Sequence, residues 1–377
     1  MVRRAFSRRL FLAAIPGICS AATTGKGSIL PSAAFRYADP TTEFPVFRLT
    51  DPEHRSVLPP HYARSVSRKG NFLIFASDRS AADASGSMQV CRLDLKSGQT
   101  RLLTEAENLD PACLALVGDE RSFCYVDGGR LYASGFTSLR PRQVYQASES
   151  FKVTAMNIAD DGLFAAVVEQ KGAHYRLQSV RLMDGAATLL AEADEVISDP
   201  VPRPRRASVL YRRAGGLWLA NLDGKQNYRL RLADGEVPSA TWSPDGKSVL
   251  YLNVPADAHK LRNIREFTPD TNDDKAVSDT TQYACFERNA DASVFVGASG
   301  SKASPHVLLL VRAVRREFTL CEHRASDPSA VSPIFSPNSQ SVFFGSDQHG
   351  KPAIYSMAVD KLVESTDETS ARTSAQE

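Results

Sequence analysis

The chain has 377 residues, 42% hydrophobic and 23% charged, with a formal net charge of +2. That length and balance describe a folded soluble protein of two average domains or one large all-β array. Four arginines (Arg3, Arg4, Arg8, Arg9) crowd the first nine residues, and without them 41 basic residues face 43 acidic ones. No basic block remains to release counterions from a nucleic acid, so nucleic-acid binding is excluded.

Residues 1–22 contain Ser7-Arg8-Arg9-Leu10-Phe11-Leu12, which resembles the twin-arginine export motif. An apolar run follows over residues 10–19, about half of what a bilayer-spanning helix needs. Ser20, Ala21 and Ala22 then offer a cleavage point, and Ile18 before Cys19 does not fit a lipoprotein signal. The expected product is periplasmic or secreted, without a transmembrane span in the mature chain. Beyond Cys19 the cysteines are Cys91, Cys113, Cys124, Cys285 and Cys321, an odd number with no C-x-x-C pair. Most lie in apolar strand patterns such as Phe123-Cys124-Tyr125-Val126 and read as buried thiols, although an oxidising compartment leaves one or two disulfides open. Residues 23–43 read as a loose lead-in.

From residue 44 to residue 360 one grammar repeats: a short apolar run, a turn rich in Ser, Pro, Asn, Asp or Gly, then a second apolar run. It is clearest in "TWSPDGKSVLYL" and "IFSPNSQSVFF", and recurs in "SVSRKGNFLIFA", "LVGDERSFCYV", "NIADDGLFAAVV", "PRPRRASVLYRR" and "ERNADASVFVGA". Counted between Gly70, Glu120, Gly162, Arg206, Gly246, Ala292 and Ser339, the intervals are 50, 42, 44, 40, 46 and 47 residues. A near-constant period of about 40–50 residues marks propeller blades. In the first copy the strands are expected over 63–67, 71–77, 88–95 and 99–104. The seventh copy has three strands, and residues 44–50 supply the fourth. The fold expected is therefore all-β: a seven-bladed β-propeller closed by pairing of N- and C-terminal strands, which removes open sheet edges. No segment sustains a helical period with caps. Residues 253–282 form the outer half of blade five. Asp270, Asn272, Asp273 and Asp274 there lack the glycine and distal glutamate of a calcium loop and read as a solvated turn. Residues 361–377 are polar and expected to be disordered.

Segments leading into the inner strands of a propeller converge at one mouth. Here they carry His61, Asp110, Lys152, Asp199, Arg203, Ser239, Cys285, Asp327 and Ser332, with His323 nearby. This polar, mixed-charge set suits a charged small ligand or a carbohydrate. The substrate-binding candidates are His61, Lys152, Asp199, Arg203, Ser239, Asp327 and His323. Each also has a plainer reading as a turn residue or a blade-to-blade hydrogen bond. His174, His259 and His349 fall in outer loops, and His306 caps an apolar strand. No G-x-S-x-G elbow, H-E-x-x-H or glycine-rich phosphate loop is present, so no catalytic residue is assigned.

"SPIFSPNSQSVFFGSDQHGKPAIY" (residues 332–355) resembles the closing blade of the oligogalacturonate lyases, which runs H-P-H-P-x-F-x-P-D, a strand, then S-D-x-x-G-K-P-x-x-Y. "FRLTDPEHRSVLPPHYARSVSRKGNFLIFASD" and "LDLKSGQTRLLTE" are similar to that family's opening. The resemblance implies a lyase acting on pectin fragments by β-elimination. There a base takes the proton beside the uronate carboxylate while a divalent metal, commonly manganese, neutralises the carboxylate. The family's paired histidines fall on Ala330 and Ser332, the histidine of the preceding blade near Cys285, and the histidine offered as base on Ser239. A glutamine ligand falls near Asp327. Arg203 matches a family arginine, and Asp199 replaces a histidine. With the imidazoles lost, no metal site is expected and no cofactor, manganese being required only if the family activity persists. The partner expected is an acidic oligosaccharide, bound or cleaved with impaired catalysis. The alternative is a non-enzymatic TolB-like module docking a periplasmic protein.

Overall fold

A computed structural model describes residues 25–79, 86–148, 150–257 and 259–362. The leader expected over residues 1–22 and the tail from residue 363 lie outside the described residues. Seven separate antiparallel sheets follow one another along the chain. The inner strands of blades 1 to 7 are Ser56–Val57, Leu109–Leu116, Lys152–Ile158, Ile197–Pro202, Ala240–Trp242, Tyr283–Arg288 and Ile334–Phe335. Each blade then meanders outward, as in blade 3 through Phe164–Lys171, His174–Arg181 and Ala187–Ala193.

The turn positions expected from the sequence are visible in the backbone. Gly70, Glu120, Gly162, Gly246, Ala292 and Ser339 all adopt a positive φ, and in blade 4 the left-handed residue is Arg205, one position early. The first turn residue ties the hairpin. In blade 5 the Ser243 hydroxyl accepts the Ser248 N–H at 3.0 Å, and Gly246 N–H reaches the Ser243 carbonyl at 2.9 Å. Ser67 and Ser336 do the same in blades 1 and 7. Gly246 has a second reason to be glycine, because a Cβ there would lie 2.3 Å from the Pro204 carbonyl oxygen of the preceding blade. The turn is therefore also a blade-to-blade contact.

The core is divided into seven apolar clusters, one between each pair of neighbouring blades, including the seam between blades 7 and 1. The second strands are buried on both faces, with every residue of Phe72–Ser77 and of Val294–Ser299 buried. That is why they read as continuous apolar runs rather than alternating ones. Each fully buried Phe or Leu contributes about 1.5–3 kcal/mol, so a missing blade would expose two clusters together.

Ring closure follows the expected route. Pro45–Arg48 pairs with Ala353–Ala358, Phe47 opposite Ser356 and Arg48 opposite Tyr355. Val46 lies fully buried in the cluster between blades 6 and 7. The lead-in departs from expectation. Residues 25–43 are ordered: Phe35–Ala38 pairs with Pro45–Arg48 as a fifth strand of blade 7, and Ile29–Leu30 adds a fifth strand to blade 1. The two outer edges available beside the seam recruited it, a pairing that short strands without periodicity do not announce. The inner strand expected over 63–67 is also partly displaced. Only a bridge from Val66 to Leu73 forms there, and the regular inner pairing of blade 1 is made by Ser56–Val57.

Candidate functional site

The reason for that displacement lies on the ring axis. Between Ser56–Val57 and Val66 the chain turns inward through Pro59-Pro60-His61-Tyr62, with Ala63 N–H closing a turn onto the Pro60 carbonyl at 2.8 Å. Proline cannot donate to a ladder, which favours departure from the sheet here. Tyr62 packs against both the cluster between blades 2 and 3 and the cluster between blades 4 and 5. Only a side chain on the axis can reach both. Asn157 holds the segment by donating from Nδ2 to the Tyr62 carbonyl at 2.9 Å. The channel is thus plugged, and its two ends are separate places.

At the leading rim, where inner strands begin, the ladders are irregular. Register shifts occur between Leu109 and Leu114, Val153 and Ala155, Ser198 and Val201, and Tyr283 and Cys285. Bulges re-aim side chains and are common beside sites. In blade 4 the bulge contains Asp199, whose φ of 49° is left-handed. Its carboxylate accepts from Arg212 Nε at 2.9 Å, and Arg212 also donates to the Val237 carbonyl. Burial pushes the Tyr62 hydroxyl well above its usual pKa, with Asp199, Cys113 and Asp110 adding to the rise. Tyr62, Asp110, Cys113, Asp199 and Arg212 therefore share one electrostatic neighbourhood.

The predicted site residues do not gather as one set. Asp199 and Lys152 stand on the leading rim; Lys152, the first residue of its strand, is exposed and makes no salt bridge among the described residues. Asp327 is also on that side, lining a cavity of about 180 Å³ with Arg55, Ser326, Ala330 and Ser332. Its carboxylate caps a 3-10 turn by accepting from Ser329 N–H at 2.9 Å and Ser329 Oγ at 2.7 Å, which holds its pKa below the usual range. Ser239 is 1% exposed and donates to the Phe286 carbonyl at 3.2 Å, a blade-to-blade hydrogen bond. His323 is fully buried, with Nδ1 accepting from Ala325 N–H at 3.1 Å and Nε2 at 3.2 Å from the Ser299 carbonyl. Both ring nitrogens are engaged, and burial lowers its pKa.

Two candidates lie elsewhere than expected. Arg203 follows the last residue of Ile197–Pro202 and sits at the trailing end. It donates to the Gly246 carbonyl at 2.6 Å, and its guanidinium lies 4.9 Å from the Trp242 ring centroid. His61 belongs to the plug and lines the trailing cavity. Proximity to an inner strand in sequence does not say at which end a residue emerges. Tyr62, Arg212 and Arg55 were missed as candidates. The Pro59-Pro60 pair was the available signal for Tyr62, and nothing local marked Arg212.

The positions carried over from the family do converge. Ser239 bonds to the backbone of Phe286, the residue after Cys285. The strand Tyr283–Arg288 also packs beside the turn Pro328–Ala330 and the strand Ile334–Phe335, which brings Cys285 near Ala330 and Ser332. These four positions trace one arc across blades 5, 6 and 7.

No family model matches the chain. Against individual proteins it is 24% identical to an oligogalacturonide lyase of Pectobacterium atrosepticum, over 88% of this chain and 97% of the relative. Identity and coverage are the same for an oligogalacturonate lyase of Dickeya dadantii. In three dimensions it superposes on an oligogalacturonate lyase in complex with manganese with a TM-score of 0.81, at 22% identity, covering 89% of this chain and 98% of the other. The oligogalacturonate lyase of Vibrio parahaemolyticus gives the same TM-score at 23% identity. The chain is an oligogalacturonate lyase-like propeller.

The arc of this oligogalacturonate lyase-like chain does not fit a manganese ion. Alanine offers no donor, the Ser239 hydroxyl is hydrogen-bonded to backbone, and burial pushes the Cys285 thiol up to about 11, keeping it protonated. A thiol ligand must be deprotonated, and manganese prefers oxygen and imidazole. Among the described residues no three His, Cys, Asp or Glu side chains are placed to hold a metal.

Proposed function

We propose that this exported propeller binds pectin-derived acidic oligosaccharides at its leading rim and has lost manganese-dependent β-elimination. The observation that carries the reading is that similarity to the lyases runs along nearly their whole length, as one fold, while the arc presents Ser, Cys, Ala and Ser. Elimination needs the uronate carboxylate neutralised and a base at the adjacent carbon. Neither a metal-binding donor set nor an imidazole base stands in the arc. Binding asks for less. Arg55 and Lys152 are exposed on the leading side without salt bridges among the described residues, and supply cations for carboxylates. Such exposed cations steer an anionic ligand, and their effect weakens with salt.

The test is incubation with oligogalacturonides and manganese, followed by ultraviolet absorbance of unsaturated products, with calorimetry on the same ligands. Binding without products supports the proposal. Manganese-dependent products would overturn the loss of catalysis, and absence of binding would overturn the carbohydrate reading in favour of a protein-docking module. For export, Arg8→Lys with Arg9→Lys should retain the protein in the cytoplasm on cell fractionation; unchanged export would refute the twin-arginine route.

A further inference from the structure

On the leading side, between the inner strand of blade 1 and the entry to blade 7, lies the cavity of about 180 Å³ that Asp327 lines. Its wall has two characters. One part is apolar: Val57, Leu58, Ala325, Ala330 and Pro352. Leu58 packs against the cluster between blades 7 and 1, and Ala325 against the cluster between blades 6 and 7. This part of the wall is therefore the margin of two cores, fixed in place by their packing. The other part is charged: Asp327 and Asp347, with the exposed Arg55.

Both aspartates are ionised at neutral pH. Hydrogen bonds from the Ser329 hydroxyl and N–H hold Asp327 below the usual carboxylate range. Burial acts upward on Asp347, but the Ser326 hydroxyl and N–H outweigh it and its pKa is lowered as well. The two carboxylates are near enough to repel, and on Asp327 the repulsion from Asp347 exceeds the attraction of Lys302. Two fixed negative charges thus share the wall with one lining cation, Arg55. A free uronate carboxylate entering there would leave water to become the third negative charge, which is disfavoured without a counter-ion. The neighbouring arc offers no donor set for such an ion, and Ala330, common to the arc and the cavity, presents only a methyl. Methyl esterification reverses both terms. It removes the ligand's charge and adds apolar surface for the wall to cover.

We propose that this cavity receives the methyl ester of one galacturonate residue, so that the protein prefers partly methyl-esterified oligogalacturonides to de-esterified ones. The inference rests on the acidic-oligosaccharide reading and specifies it: one ester enters the cavity, and the free carboxylates of neighbouring sugars are left to the exposed cations of the rim. The experiment is calorimetry of the full chain with tetragalacturonate and with half-methyl-esterified tetragalacturonate. The esterified ligand should bind about tenfold tighter, from one covered methyl and one relieved charge repulsion. Asp327→Asn with Asp347→Asn keeps oxygens that can accept from Ser329 and Ser326 but removes both charges. It should strengthen tetragalacturonate severalfold and leave the esterified ligand unchanged. Ala330→Leu, at an exposed position, fills the cavity and should weaken only the esterified ligand, with melting curves confirming that each variant folds. Equal binding of the two ligands, or tighter binding of tetragalacturonate, would overturn the proposal and leave the acidic-oligosaccharide reading standing. A preference for the ester that neither variant alters would place the methyl elsewhere and overturn it too. If neither ligand bound, the underlying reading would fall, and this inference with it.

Discussion

At the leading rim Ser239, His323 and Asp327 are held by hydrogen bonds within the fold. At the trailing end His61, Ser65 and Glu287 each keep a buried atom without a partner. The first group are staples of the ring, whereas the second leave an enclosed polar atom unsatisfied among the described residues. A polar residue near a channel is therefore informative only once its hydrogen-bond partners are known, because the same residue type is a staple in one place and an unsatisfied group in another.

Five substitutions test which of these polar residues, at either end of the channel, are staples. The largest effect is expected for Arg203→Ala, which leaves the Gly246 carbonyl bare and removes the cover over Trp242. A loss of about 3 kcal/mol in chemical denaturation is expected, and a loss below about 0.5 kcal/mol would mean that this arginine is no staple. Next is His323→Ala, expected to cost about 2 kcal/mol from two lost buried hydrogen bonds and a small cavity.

His323 also has a pH signature. Its folded-state pKa lies below its ordinary value, so the unfolded chain takes up the proton first as pH falls. Its contribution is complete above a pH of about 6.5 and declines as pH drops below that. His323→Gln should flatten the fall in melting temperature between neutral and mildly acidic pH; identical profiles would remove the histidine from the account.

Ser239→Ala should cost about 1 kcal/mol by breaking the link to blade 6. The smallest effect belongs to Ser65→Ala, expected within about 0.5 kcal/mol of the parent, since its hydroxyl has no partner among the described residues. If Ser65→Ala proved costlier than Ser239→Ala, the contrast between partnered and unpartnered groups would collapse.

The fold was legible because the repeat places a turn-former wherever the chain needs a left-handed residue, as at Gly70, Gly162 and Gly246. The latch was legible too, since the seventh copy lacks a strand that residues near Pro45–Arg48 resemble. The site was less so. Arg203 and His61 each adjoin an inner strand in sequence but emerge at the trailing end, and the extra strands at Ile29–Leu30 and Phe35–Ala38 carry no periodic signal.

By itself the amino-acid sequence determined a ring of seven small sheets and the residues that stand in the arc of blades 5 to 7, because turn chemistry, strand pattern and residue identity are local. Which polar atoms were left without partners was decided only by the tertiary structure. Satisfaction is a property of atoms from distant blades brought to one axis, as with His61, Ser65 and Glu287, and no spacing along the chain encodes it.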